Sequence, residues 1–168
     1  MEDAGQFFKG LSKITYEPEE VDTIRPSGDF TLGVDLAKYN DWTVITPFNL
    51  NSFTAYPQER FNQIDWNLQK ARISNNYFKY NCADLRIDST GLGDPITDDL
   101  RNAGVYISEE NAVKFTEATR RQLLDNLSIL IEQQFIKIPN DEGLIDELES
   151  FRYEMTTGAS GKPKITVR

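Results

Sequence analysis

The sequence predicts an α/β protein: a mixed β-sheet, three antiparallel strands followed by parallel ones, flanked by helices and ending in a β-hairpin. Three patterns carry this prediction. Residues 30–56 hold short β-branched and aromatic runs separated by short turns; residues 62–151 alternate helical and strand periods; residues 151–168 read as two short runs about a glycine-rich turn. With 168 residues, 39% of them apolar and 11% aromatic, the chain is long enough for one domain with a real core. It is too apolar to be a disordered chain.

Residues 1–29 read as a linker ahead of the domain. Glu17-Pro18-Glu19-Glu20 and Arg25-Pro26-Ser27-Gly28-Asp29 are loop chemistry, and Gly5 to Leu11 allow one apolar turn. Phe30 to Leu36 is a mostly apolar strand carrying Asp35 at its end. Trp42 to Phe48 and Phe53 to Tyr56 are the next two strands, and the turn residues between them make an antiparallel meander. From Asn62 to Tyr80 the period becomes helical, with Ile64, Leu68, Ala71 and Phe78 on one face. Ala83 to Asp88 returns to strand, and Ser89 to Gly93 is a tight loop. Asp94 and Pro95 then open a helix as N-cap and first residue, and Ala103-Gly104 stop it. Val105-Tyr106-Ile107 reads as a further short strand. Thr116 to Thr119 open the strongest helix, striped by Leu123, Leu127, Leu130 and Gln134 and reinforced by Leu124 and Ile131. Phe135 to Pro139 is strand-like, and Asp141 caps a helix carrying Leu144, Ile145, Leu148 and Phe151. The hairpin that follows turns at Gly158 to Gly161.

Composition excludes several chemistries. The chain has no histidine, which removes Ser-His-Asp and Cys-His mechanisms, histidine general bases and His-rich zinc sites. Its one cysteine, Cys82, rules out an internal disulfide and reads as a small buried residue; with no export signal, a reducing compartment follows. The first residues, Met1-Glu2-Asp3-Ala4-Gly5, are acidic and lack the apolar stretch of a secretory signal. No run approaches the roughly 18 apolar residues of a membrane span, so a soluble protein is expected, with no membrane partner. Lys+Arg 18 against Asp+Glu 27 gives a net charge of −9, which argues against strong nonspecific binding to nucleic acid. Chemistry with hard metals and oxygen ligands survives these filters.

Asp35 is the first candidate, because an α/β sheet exposes functional groups at the C-terminal ends of its strands. The plainer reading is an aspartate bonded to loop N–H groups. Asp41, six residues on, supports a metal or caps the returning turn. Asp88 repeats the pattern of Asp35: an apolar strand, an aspartate, then a glycine loop. If their strands are neighbours the two carboxylates converge, and a divalent cation relieves their repulsion. All-oxygen ligation suits magnesium or manganese, and two such ions about 3.5–4 Å apart are the arrangement that cleaves phosphodiesters. Gly91-Leu92-Gly93 lacks the third glycine of a dinucleotide fingerprint, since Ile96 stands there, and no Walker motif occurs, so no nucleotide is expected. Arg120, Arg121, Lys162 and Lys164 are grouped cations that either touch phosphates or face solvent. Phe7, Phe8, Trp42 and Trp66 read as core.

Taken in order, these motifs resemble a known family. Leu32 to Ile45 is similar to the first strand, turn and second strand of the nuclease domain of tailed-phage terminase large subunits. Arg86 to Ile96 resembles that family's second acidic motif, and Phe115 to Leu127, Ile138 to Asp141 and Leu148 to Tyr153 resemble its late helices and linker. The resemblance runs from about Asp3 to Arg168. It implies a ribonuclease H-like fold over residues 30–168 and a two-metal endonuclease using Mg²⁺ or Mn²⁺. Such a domain cuts concatemeric double-stranded DNA during genome packaging, in the cytoplasm of an infected bacterium. It further implies Asp35 and Asp88 as catalytic, metal-holding carboxylates, Asp41 as their support, and an ATPase domain, a small terminase subunit and a portal as partners. Family members carry a third catalytic aspartate in a last acidic motif and helix beyond the hairpin; this sequence shows neither, and residues 1–29 then read as the junction with a missing ATPase. A second expectation is a non-catalytic assembly module that binds portal, small terminase or DNA.

Overall fold

The computed structural model describes residues 5–36, 42–62, 64–88, 94–157, 161 and 163–168. In chain order its elements are β1 (Thr15–Tyr16), β2 (Phe30–Asp35), β3 (Thr43–Asn49), β4 (Thr54–Ala55), β5 (Glu59–Phe61), α1 (Trp66–Lys79) and β6 (Asp84–Asp88). There follow α2 (Asp94–Asn102), β7 (Ala112–Val113), α3 (Glu117–Glu132), β8 (Ile138–Pro139), α4 (Glu142–Ser150), β9 (Tyr153–Thr157) and β10 (Pro163–Val167). Two compact units contain them: Pro18–Thr116, and the paired segments Met1–Glu17 and Glu117–Arg168.

Alternation builds the sheet of the 18–116 unit. Phe30, Leu32 and Val34 of β2 are buried while Thr31, Gly33 and Asp35 face the other way; Thr43, Ile45 and Pro47 do the same for β3, and Leu85 and Ile87 for β6. The strand order is β4-β3-β2-β6-β7, with β5 also paired to β3. β2, β3 and β4 are antiparallel neighbours, and β6 and β7 join parallel. This is the mixed α/β sheet of a ribonuclease H-like fold. Its buried face carries a core of Phe30, Leu32, Val34, Ile45, Leu85 and Ile87, completed by Ile73 and Tyr77 from α1, by Tyr80 just after it and by Leu100.

α1 starts at Asp65, whose side chain accepts from Leu68 N and satisfies one of the free N–H groups of the first turn. Its buried face differs from the expected one: Leu68 and Phe78 are exposed, and Ile73 and Tyr77 are buried. Tyr77 can enter the interior because its hydroxyl accepts from Tyr106 N. α2 ends as predicted, with Gly104 at φ 93°, a left-handed position that glycine takes without strain.

The strand expected at Val105–Ile107 is absent, and the parallel partner of β6 is Ala112–Val113. The inside-outside alternation is real, since Val105 and Ile107 are buried and Tyr106 is exposed. However, Val105 N is spent on Leu100 O at the helix end, and only Tyr106 O reaches β6, through Leu85 N.

The other unit is made of both chain ends. β1 and β8 pair in parallel, Thr15 with Ile138 and Tyr16 with Pro139. Phe7, Phe8, Leu11 and Ile14, from the stretch read as a linker, are buried together with Ile131, Ile136, Leu148 and Val167. Phe8 meets Phe151 edge-on at 5.5 Å, and Phe7 meets Tyr153 at 5.1 Å. α3 turns Ile131 inward and leaves Leu123 half-exposed, a rotation from the expected stripe. Asp141 caps α4 through Leu144 N, and β9 and β10 form the hairpin in register Tyr153 to Val167 through Thr157 to Pro163. The residues assigned to the hairpin turn, 158–160, lie outside the described residues. No helix among the described residues is long and apolar enough to cross a membrane.

Candidate active site

β2 and β6 run side by side in parallel, with Leu32 beside Leu85 and Val34 beside Ile87. Asp35 and Asp88 stand one residue further on and are the last residues of their strands. Val34 and Ile87 point into the core, so strand alternation sends both aspartates to the opposite face. Neighbouring strands lie about 4.8 Å apart, which makes the two carboxylates adjacent. Asp35 is exposed and Asp88 half-buried. The sheet flanks them with Val44 of β3 opposite Asp35 and Val113 of β7 beside Asp88.

A third carboxylate on the same face, Asp84, is bound structurally. One oxygen accepts from Thr31 Oγ1 at 2.5 Å and the other from Asn111 Nδ2 at 3.2 Å, which ties β6 to β2 and to the turn before β7. Behind it Cys82 is buried, and burial together with the Asp84 charge pushes its thiol up to about 12, so it stays protonated and inert. Burial, then Tyr56 and Cys82, likewise push Tyr80 up to about 12.

The remaining candidates are distributed differently. Asp41, Lys162 and the glycine loop at 89–93 lie outside the described residues; Lys164 is paired to Thr156 in the hairpin, and its side chain is likewise outside them. Arg120 donates to Val167 O and Arg121 to Ile165 O and Asp125, so both hold α3 to β10. Arg121 also stacks over Phe7 and Tyr153 at 5.8 and 5.9 Å. Trp42, expected in the core, is 54% exposed immediately before β3, at the same end of the sheet as Asp35. Trp66 is half-buried and donates to Asp99. Arg60, which no sequence motif marks, lies opposite Val44 on β5. Its signal was the short Glu59-Arg60-Phe61 alternation: with Phe61 in the core, Arg60 must face the aspartates' side.

Two adjacent carboxylates repel and favour a cation between them, and a donor set of oxygens alone fits a hard divalent ion. Among the described residues no group of three or more His, Cys, Asp or Glu side chains is placed to hold a metal. Asp35 and Asp88 are thus two oxygen donors at neighbouring strand ends.

No family model matches the sequence. The terminase large subunits of Thermus virus P23-45 and Thermus phage G20c are each 32% identical to it over 161 residues, 92% of this chain and 32% of theirs. The chain thus spans about a third of the length of these curated relatives. In three dimensions it resembles the large terminase nuclease of thermophilic phage G20c with bound magnesium. That match has a TM-score of 0.81 and 28% identity, and covers 98% of this chain and 88% of the other. The cobalt-bound form of the same nuclease also superposes with a TM-score of 0.81, covering 98% and 89%. Sequence and fold agree: over nearly its whole length the chain is similar to the nuclease domains of bacteriophage terminase large subunits.

Proposed function

We propose that the chain is a metal-dependent endonuclease that cuts concatemeric double-stranded DNA during viral genome packaging, with Asp35 and Asp88 holding the ion or ions. The observation that carries this reading is the β2–β6 register, which sets two aspartates side by side at the exposed end of a parallel strand pair. A relative solved with bound magnesium and bound cobalt supports the use of a divalent ion. The hard oxygen donors of this chain favour Mg²⁺ or Mn²⁺.

Bound there, one or two such ions would supply Lewis-acid stabilisation of the phosphodiester charge and an acidified water. The protein supplies position. Val34 and Ile87 anchor both strand ends in a packed core, so neither carboxylate can withdraw without disturbing it. Asp41 is proposed as their supporting acid. Lys162 and Lys164 are proposed to touch DNA phosphates, as are the guanidinium N–H groups that Arg120 and Arg121 do not spend on β10. In the whole protein the domain would act beside an ATPase domain, with a small terminase subunit and a portal, in the cytoplasm of the infected host.

Incubation with supercoiled plasmid tests the reading. Nicking is expected with Mg²⁺ or Mn²⁺, is abolished by EDTA, and falls at least about 100-fold in Asp88→Asn, beyond the 10–100-fold typical of residues that only orient a metal ligand. An intact plasmid under all conditions would transfer the reading to a non-catalytic module that docks on portal, small terminase or DNA.

A further inference from the structure

The row that carries the two aspartates continues across the sheet. Asp88 ends β6 and Asp35 ends β2; Val44 on β3 pairs with Asp35, and Arg60 on β5 pairs with Val44. Parity places all four on one face, because the residues beside them along each strand, Ile87, Val34, Ile45 and Phe61, belong to the buried core. Two strand spacings separate Arg60 from Asp35, about 10 Å between backbones. A second cation, Arg86, lies one row back on the same face, beside Gly33, and is exposed. In a protein of net charge −9, one end of one sheet face thus combines two carboxylates with two arginines.

That arrangement matches a phosphodiester chain better than it matches a lone metal. Along one DNA strand phosphates recur about every 3.4 Å of helix axis, so a strand presented to the carboxylates runs its next phosphates along the row. Arginine's planar fork of five donors grips a phosphate bidentately, where lysine offers only a point charge. We propose that Arg60 is a substrate-contacting residue of this site, holding a DNA backbone phosphate within about three nucleotides of the one presented to Asp35 and Asp88. The inference rests on the nuclease reading above.

Fluorescence anisotropy of a labelled DNA duplex with the whole chain, Ca²⁺ replacing Mg²⁺ to suppress cleavage, reads the contact directly. Over about 50 to 200 mM salt, each phosphate contact adds about 0.9 to the slope of log affinity against log salt. Arg60→Ala is expected to bind several-fold more weakly and to lose about one such unit of slope. Arg60→Lys keeps the slope but not the full affinity. Arg25→Ala removes a charge from the loop that precedes β2 and keeps both. Circular dichroism reports folding; if Arg60→Ala does not fold, Arg60→Lys decides, with weakened affinity supporting the assignment and wild-type affinity overturning it. Wild-type slope and affinity in a folded Arg60→Ala overturn the assignment while leaving the nuclease reading in place, provided the wild type nicks plasmid. A wild type that neither binds duplex nor nicks plasmid overturns both.

Discussion

Trp66 donates its indole N–H to Asp99 at 2.7 Å, joining the first turn of α1 to α2, and Lys70 donates to the same carboxylate at 3.2 Å. The Trp66 bond, then Lys70, hold the Asp99 carboxyl below its ordinary value of 3.8. A lowered pKa in the folded protein means that the contact stabilises above the ordinary value and that this support is lost as pH falls through the folded one. Asp99→Ala is therefore expected to be less stable than wild type at neutral pH, with the gap closing on acidification below 3.8. Urea unfolding of both proteins across pH reads this; a gap constant with pH would refute the linkage.

The opposite sign holds for Tyr80 and Cys82. Burial raises them from 10.0 and 9.0 to about 12. Their contribution is complete below the ordinary values and disappears as pH rises from 9.0 toward about 12. Alkaline melting should steepen in that window and be blunted in Tyr80→Phe. A thiol reagent at mildly alkaline pH should leave native Cys82 unmodified and label it rapidly in urea.

The carboxylate pair itself has a stability signature. The melting temperatures of wild type, Asp35→Asn and Asp88→Asn without metal set the baseline. With Mn²⁺ at about 100 times its dissociation constant, wild type should gain about 2.7 kcal/mol and the variants far less. Equal metal-induced shifts in all three proteins would place the ion elsewhere.

Arg121 stitches its unit together through Ile165 O, Asp125, Phe7 and Tyr153. Arg121→Ala should lose about 1–2 kcal/mol, from one hydrogen bond to a carbonyl and the lost stacking. Thermal melting reads that loss. A drop in DNA affinity at unchanged melting temperature would instead assign Arg121 to phosphate contact.

The buried face of α1 is testable by a pair of truncations. Ile73→Ala should cost about 2–5 kcal/mol, as for other fully buried aliphatic residues. Leu68→Ala, on the exposed side, should stay within about 0.5 kcal/mol. Denaturant midpoints compare them, and equal costs would return the helix to the face read from sequence.

These cases show what the sequence could and could not supply. Asp35 and Asp88 were legible because each combines a strand, an acid and a loop in a few adjacent residues. Their adjacency was not, since it depends on a parallel pairing that matches Thr31 with Asp84 across 53 positions. Arg60 was hidden because β5 is three residues long, too short for a period to declare itself. The face of α1 was misjudged because hydrophobicity alone cannot see that Tyr77 finds a partner for its hydroxyl and so can be buried where Phe78 is not. At Val105–Ile107 the alternation was correct and the ladder was missing, because a helix end had already claimed Val105 N.

The division of one unit between both chain ends has a consequence for biosynthesis. The ribosome releases Phe7, Phe8, Leu11 and Ile14 early, whereas Ile131, Leu148 and Val167, buried in the same unit, follow more than a hundred positions later. At about 5–20 residues per second the early segment waits for several seconds or more with its aromatic side chains uncovered. Residues 18–116 hold all the strands of their own sheet and can close it during that interval. Synthesis therefore favours a vectorial order, in which the sheet bearing Asp35 and Asp88 matures first and the segment Phe7 to Ile14 is a natural client for chaperones until Ile131 to Val167 arrive.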